Sequence, residues 1–277
     1  MEESGGQVTG DKLDVLPLDF DTYKLETYDV GSIANITCDA YPNGFSIVIL
    51  PFDSAIHQEY AKNAAGYEDI FMKNILGWVA GLNLERTDQT PIAVNGQTGE
   101  VFPDKAVALH IGLPEDKTVA LNIINIFSPD EDGPLLQFPD EGFSVRTALV
   151  DGKEVVFADY IAQNNIDTQL PIIGDYSGAG INVSIKEIEG DVVKLYAPVF
   201  TDIEYRMAKR IDNYAQAFHA RIEEIKDANA VFACNCILNF LYGELEGKDL
   251  GAFYGPITFG EVAFQLVNQT LVYVQVM

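Results

Sequence analysis

The sequence predicts a mixed α/β fold of two layered units, with mixed or antiparallel sheets and helices packed outside them. Two observations lead there. Short apolar runs bounded by Gly, Pro, Asn and Asp recur along the whole chain, and segments with helical spacing fall between them. Hydrophobic content of 48% and charged content of 21% in 277 residues supply enough apolar surface for a sizeable core.

Residues 1–28 are polar, acidic and aperiodic, which predicts a flexible N-terminal arm. Within it, Leu16-Pro-Leu-Asp-Phe20 alternates enough to add an edge strand, where a proline is tolerated. Phe45 to Leu50 is an apolar run ended by Pro51 and predicts a buried strand. Asp53 or Ser54 can cap a helix carrying Ile56, Tyr60 and Ala64 on one face, closed by Gly66. A second helix is expected over 67–81, with Ile70, Phe71, Ile75, Trp78 and Val79 inward. Hairpins follow over 90–102, about Asn95-Gly96, and between 106–111 and 118–127. The Pro- and acid-rich stretch 128–142 is the expected boundary, giving units of 29–140 and 141–277.

In the second unit, Phe143 to Val150 reads as a strand turned by Asp151-Gly152 toward a short helix ending near Gln163. Pro171 to Gly180 is glycine-rich, yet it lacks both nucleotide-binding fingerprints and reads as a loop. A hairpin turns about Glu189-Gly190. Apolar residues from Ile203 to Ile225 recur at spacings of four and three, as in an amphipathic helix, although Ile203-Tyr205-Met207 also fits a preceding strand. Val231 to Ile237 reads as a buried strand and Leu266 to Val276 as a long closing strand. Between them, glycines beside aromatics over 252–261 suit close backbone approach.

Seventeen Lys and Arg against 42 Asp and Glu give a net charge of −25, which disfavours nucleic acid and anionic membranes as partners. The start of the chain has no signal-peptide pattern and no run approaches 18 apolar residues, so a cytoplasmic acidic protein is expected. Cys38, Cys234 and Cys236, with three scattered histidines, offer no metal-ligand spacing, and neither metal nor cofactor is expected. Glu261 stands out as an acid beside a glycine in an apolar neighbourhood, so it must be paired, solvated or facing a ligand amine. Asn268 and Thr270 alternate onto one face of the closing strand, and three Asn-x-Ser/Thr sequons begin at Asn35, Asn182 and Asn268.

These C-terminal residues resemble the FIST family of sensory modules. The likeness rests on the strand ending in Cys234-Asn-Cys236, then Gly255-Pro-Ile-Thr-Phe-Gly260-Glu261, then Leu266-Val-Asn268-Gln-Thr270-Leu. Weaker similarity lies at Asp151-Gly-Lys153 with Ala158-Asp-Tyr160, and at Val94-Asn-Gly96 through Leu109. The chain departs from the family where an arginine commonly follows the strand cysteine; here the residues are Ile237-Leu-Asn239. The resemblance implies a FIST-N-like and a FIST-C-like unit, and a signal-transduction role in sensing a small ligand such as an amino acid or related metabolite. Some FIST proteins bind haem, which the histidine placement here does not suggest.

The expected ligand contacts are Asn239, Tyr254, Thr258, Glu261 and Asn268, with Cys234 and Cys236 in the wall. No catalytic residue is expected. Two alternatives stay open: an acidic protein-interaction domain, and an enzyme using Cys236 or Cys234 as nucleophile with a histidine brought near by the fold.

Overall fold

The computed structural model describes residues 16–82, 88–225, 228–248 and 250–277. Residues 1–15 of the expected arm lie outside this set. At the centre is a six-stranded mixed sheet, in the order Thr22–Tyr28, Ala106–Gly112, Gly44–Pro51, Asn74–Ala80, Glu261–Ala263 and Gln265–Val267. Only Gly44–Pro51 and Asn74–Ala80 pair in parallel. Both faces of this sheet are covered, which is why Phe45 to Leu50 is apolar without alternation. Val48 and Leu50 pack with Ile56 and Tyr60 of the helix Ala55–Asn63, whose N-terminus is capped by the Ser54 hydroxyl. Phe45 and Ile47 face a C-terminal sheet and meet Phe232, Val272 and Val274.

The C-terminal sheet has the order Ile257–Thr258, Ala230–Cys236, Leu271–Val276 and Val119–Ile124. Alternation divides its side chains between two cores. Phe232, Cys234, Val272 and Val274 point at the central sheet, whereas Ala233, Leu271 and Tyr273 meet Phe218 and Ile222 of the helix Tyr214–Glu224. A six-stranded antiparallel sheet (Lys153–Val156, Thr147–Val150, Leu136–Gln137, Glu204–Met207, Ile172–Tyr176, Ala179–Val183) lies beyond the Ala55–Asn63 side. With a three-stranded sheet of Ile185–Glu189, Val192–Val199 and Gly142–Val145, it shares the main core with that helix.

The mixed α/β class holds, with corrections to its parts. Thr22–Tyr28, expected within the arm, is the edge strand paired to Ala106–Gly112, and Leu16 to Phe20 is not. Residues 67–81 form a short 3-10 turn, Ile70–Met72, and then the strand Asn74–Ala80. A spacing of four is even, so Ile75 and Val79 share a strand face as readily as a helix face, while Leu76 and Trp78 take the other. The same ambiguity divides 203–225 into a strand, Glu204–Met207, and a helix that starts only at Tyr214 behind its Asn213 cap. Ala106–Gly112 and Val119–Ile124 do not pair with each other. The Asn43 side-chain amide donates to the Leu113, Pro114 and Lys117 carbonyls and holds the chain as it passes from one sheet to the next. Residues 143–150 likewise divide between two sheets at Arg146.

The expected loop over 171–180 is a hairpin with a tight Ser177-Gly178 turn, both residues at positive φ. The closing strand is broken by Asn268-Gln-Thr270, with Gln269 left-handed. Several pairings cross the expected boundary near residue 140, among them Leu136–Gln137 with Thr147–Val150 and Glu204–Met207. Glu261–Ala263 joins the central sheet, and Val119–Ile124 joins the C-terminal one. Among the described residues, no helix is long and apolar enough to cross a membrane.

Candidate functional site

Where the central and C-terminal sheets meet, the chain buries a run of polar side chains. The parallel pairing of Ala230–Cys236 with Ile257–Thr258 sets Cys236 opposite Thr258. Gly255 makes this approach possible, since a Cβ there would run into the Ala233 carbonyl. Three residues beyond Thr258, Glu261 is wholly buried. Its Oε1 accepts from the Thr258 hydroxyl at 2.6 Å, and its Oε2 accepts from the Thr270 hydroxyl at 2.7 Å and backbone N–H at 3.3 Å.

Burial raises the Glu261 pKa from 4.5 to about 8, against the lowering pull of Thr258, Thr270 and the Cys236 thiol. The carboxyl is therefore mainly protonated at neutral pH. Thr258 also lies 3.2 Å from the Asn235 carbonyl, so its hydroxyl can donate there while accepting the Glu261 proton. In that arrangement every polar atom of the carboxyl is satisfied without a counter-charge.

On the other face of the Ala230–Cys236 strand, Asn235 accepts from the Asn239 amide at 2.9 Å. Asn239 opens no site of its own: its Oδ1 accepts from the Tyr214 hydroxyl at 2.6 Å, which in turn lies 3.3 Å from the Gln269 amide. The Ser184 hydroxyl bridges 2.6 Å to Gln269 and 2.5 Å to Asn268, and the Asn182 amide donates to the Asn268 carbonyl. Two donors in this network have no partner among the described residues: the side-chain amide nitrogens of Asn235 and Asn268, both buried. Burying an unpaired amide costs about 1–3 kcal/mol.

Of the seven residues expected to line a pocket, Cys236, Asn239, Thr258, Glu261 and Asn268 belong to this connected seam. Cys234 does not. Its thiol donates to the Gly77 carbonyl at 3.1 Å inside the apolar core. Nor does Tyr254, whose ring is 48% exposed and which contributes only its carbonyl, to the Ala233 N–H. The site residues of the seam are buried, and clefts elsewhere among the described residues are lined by other side chains. Both buried thiols have pKa values raised well above the usual range, by burial first and by the Glu261 charge second. That is the reverse of what activates a nucleophile.

Five members of the seam were not read from the sequence, Gln269 among them as no more than one residue of a quoted motif. Tyr214 looked like one apolar residue of a helix face, and Asn235 is hidden between two cysteines. Asn182 and Ser184 form one sequon, legible as polar residues but not as buried ones. Among the described residues, no cluster of His, Cys, Asp and Glu could hold a metal.

Comparison with known proteins places this geometry in a family. A model described as a family of unknown function, DUF6976, matches residues 1–277. The chain belongs to DUF6976. Neither a curated protein nor a solved structure matches this DUF6976 chain.

Proposed function

We propose that this DUF6976 protein is a small-ligand-binding module whose site is the polar seam of Asn235, Asn239, Thr258, Glu261 and Asn268, with Cys236 in the wall. One observation carries the reading: two buried amide donors without partners stand in one connected network with a buried carboxyl. A ligand offering acceptors to Asn235 and Asn268 recovers the free energy their burial forfeits. Entry requires the helix Tyr214–Glu224 to draw Tyr214 away from Asn239 and Gln269. The FIST resemblance points to the same class of ligand, an amino acid or related metabolite, and to a sensory role, which we place in the cytoplasm.

Glu261 receives the ligand amine. Because its pKa is near 8, taking up an ammonium group at neutral pH expels a proton, so affinity rises about tenfold per pH unit up to that value. A thermal-shift screen against amino acids and polyamines tests this. At about one hundred times its Kd a ligand adds about 2.7 kcal/mol, which the Glu261→Gln variant should not show. A screen without any shift, or binding that ignores both pH and Glu261→Gln, would leave the acidic surface and a basic protein partner as the better reading.

A further inference from the structure

A second, unrelated place in the molecule also has the makings of a site. A cleft of about 460 Å³ opens beside the start of the helix Ala55–Asn63, between that helix and the three-stranded sheet. Three lysines, Lys62, Lys186 and Lys194, line it, in a chain that has 17 Lys and Arg and a net charge of −25. Lys194 is shared with Glu187 and Glu189, at 3.5 and 2.7 Å. Lys62 and Lys186 form no ion pair among the described residues, and the Lys186 ammonium lies 5.2 Å from the centre of the Phe52 ring. Asp53 and Glu141 also line the cleft and, with Glu187 and Glu189 on Lys194, set four carboxylates against the three lysines, so any pull on an anion comes from Lys62 and Lys186.

The deciding residue is His57. Only 2% exposed, its ring sits in the wall of the cleft between Phe52 and Phe143, with centroids 5.6 and 5.4 Å away. The backbone N–H of Asp53 donates to Nδ1 at 3.3 Å. With Nδ1 an acceptor, the neutral ring carries its hydrogen on Nε2, and that buried Nε2 has no partner among the described residues. Burial lowers the His57 pKa to about 4, so the ring stays a neutral N–H donor through the physiological range. A buried donor without an acceptor is rare, and here it shares a cleft lining with Lys62 and Lys186 and with two aromatic walls.

We propose that this cleft binds a small organic anion, its carboxylate or phosphate head beside Lys62 and Lys186 and its flat body against Phe52 and Phe143, with a shift of one of those rings uncovering His57 Nε2–H to donate to the head group. The inference does not depend on the Glu261 seam, which shares none of these residues.

The test is NMR of the full chain labelled with 15N at its three histidines, titrated with benzoate and with adenosine 5′-monophosphate. Benzamide and adenosine serve as uncharged counterparts. The expected result is a saturable displacement of the His57 Nε2 resonance by at least one anion and by neither counterpart. Lys62→Gln and Lys186→Gln should each weaken that anion by about fivefold or more, the size of a lost charge-assisted contact, without moving the unliganded melting temperature. A response to only one of the two anions identifies the head group. Silence of His57 toward both anions at millimolar concentration overturns the proposal. So does equal binding of the uncharged counterparts, or an affinity indifferent to both lysine substitutions.

Discussion

Glu261 gives the sharpest test of the physical reasoning, because its burial turns into a pH dependence of known sign. Unfolded, the carboxyl titrates near 4.5; folded, near 8. Below pH 4.5 both states hold the proton and the folded state keeps the full benefit of its neutral network. As pH rises past 4.5 the unfolded chain releases its proton and the folded one does not, so stability is lost until the folded carboxyl also ionises, through about pH 8. At about 1.4 kcal/mol per pH unit, the interval between those pKa values amounts to at most about 5 kcal/mol.

Glu261→Gln should remove this dependence. The amide can donate to Thr258 from one arm and accept from Thr270 with the other, so it reproduces the protonated acid. Urea unfolding of both proteins at pH values from about 5 to 9 would show near-equal stability at the acid end and a growing advantage for the glutamine variant at the alkaline end. A difference that stays flat within about 1 kcal/mol across the range would refute a neutral Glu261.

Further outcomes follow from the same geometry. Tyr214→Phe removes the hydroxyl between Asn239 and Gln269 and should lower the unfolding free energy by about 1–3 kcal/mol in urea, the usual size of a stranded buried acceptor. Gly77→Ala should fail to reach the native state, or lose more than about 3 kcal/mol, because a Cβ there would meet the Val48 backbone at positive φ; circular dichroism melts report it. His110, bonded to Ser46 and Tyr28 and with a pKa lowered to about 4 by burial, should oppose acid. Below the usual histidine value near 6.5 the unfolded ring takes a proton that the folded one refuses, so stability falls as pH drops from there toward 4, and His110→Gln should reduce that acid limb by about half, His57 contributing the rest. Native iodoacetamide treatment should label Cys38, which is exposed, while Cys234 and Cys236 react only after unfolding, as mass spectrometry would record.

What could be read from the sequence and what could not divides on physical lines. Gly44–Pro51, the Ser54-capped helix and Ala230–Cys236 were legible because burial on one or both faces, capping and turn chemistry are written locally. Ile75 to Val79 was not, since an even spacing serves helix and strand alike, and only the presence of sheets on both sides decides. Glu261 announced itself as an acid in apolar surroundings. Its environment also depends on Thr270, and the wider seam on Ser184 and Tyr214, residues brought together by pairings across the fold. His57 looked like one more core histidine; the orphaned nitrogen is a property of its neighbours, not of its position in the chain.

The way the sheets interleave distant segments also governs how this chain can be made. Glu261–Ala263 pairs with Asn74–Ala80, and Leu271–Val276 with Val119–Ile124. During synthesis from the N-terminus, the strands Asn74–Ala80 and Val119–Ile124 therefore emerge long before the partners that cover their hydrogen-bonding edges. Such a chain must hold apolar, unpaired edges until residues 261–276 arrive, which predicts slow folding and dependence on chaperones during translation.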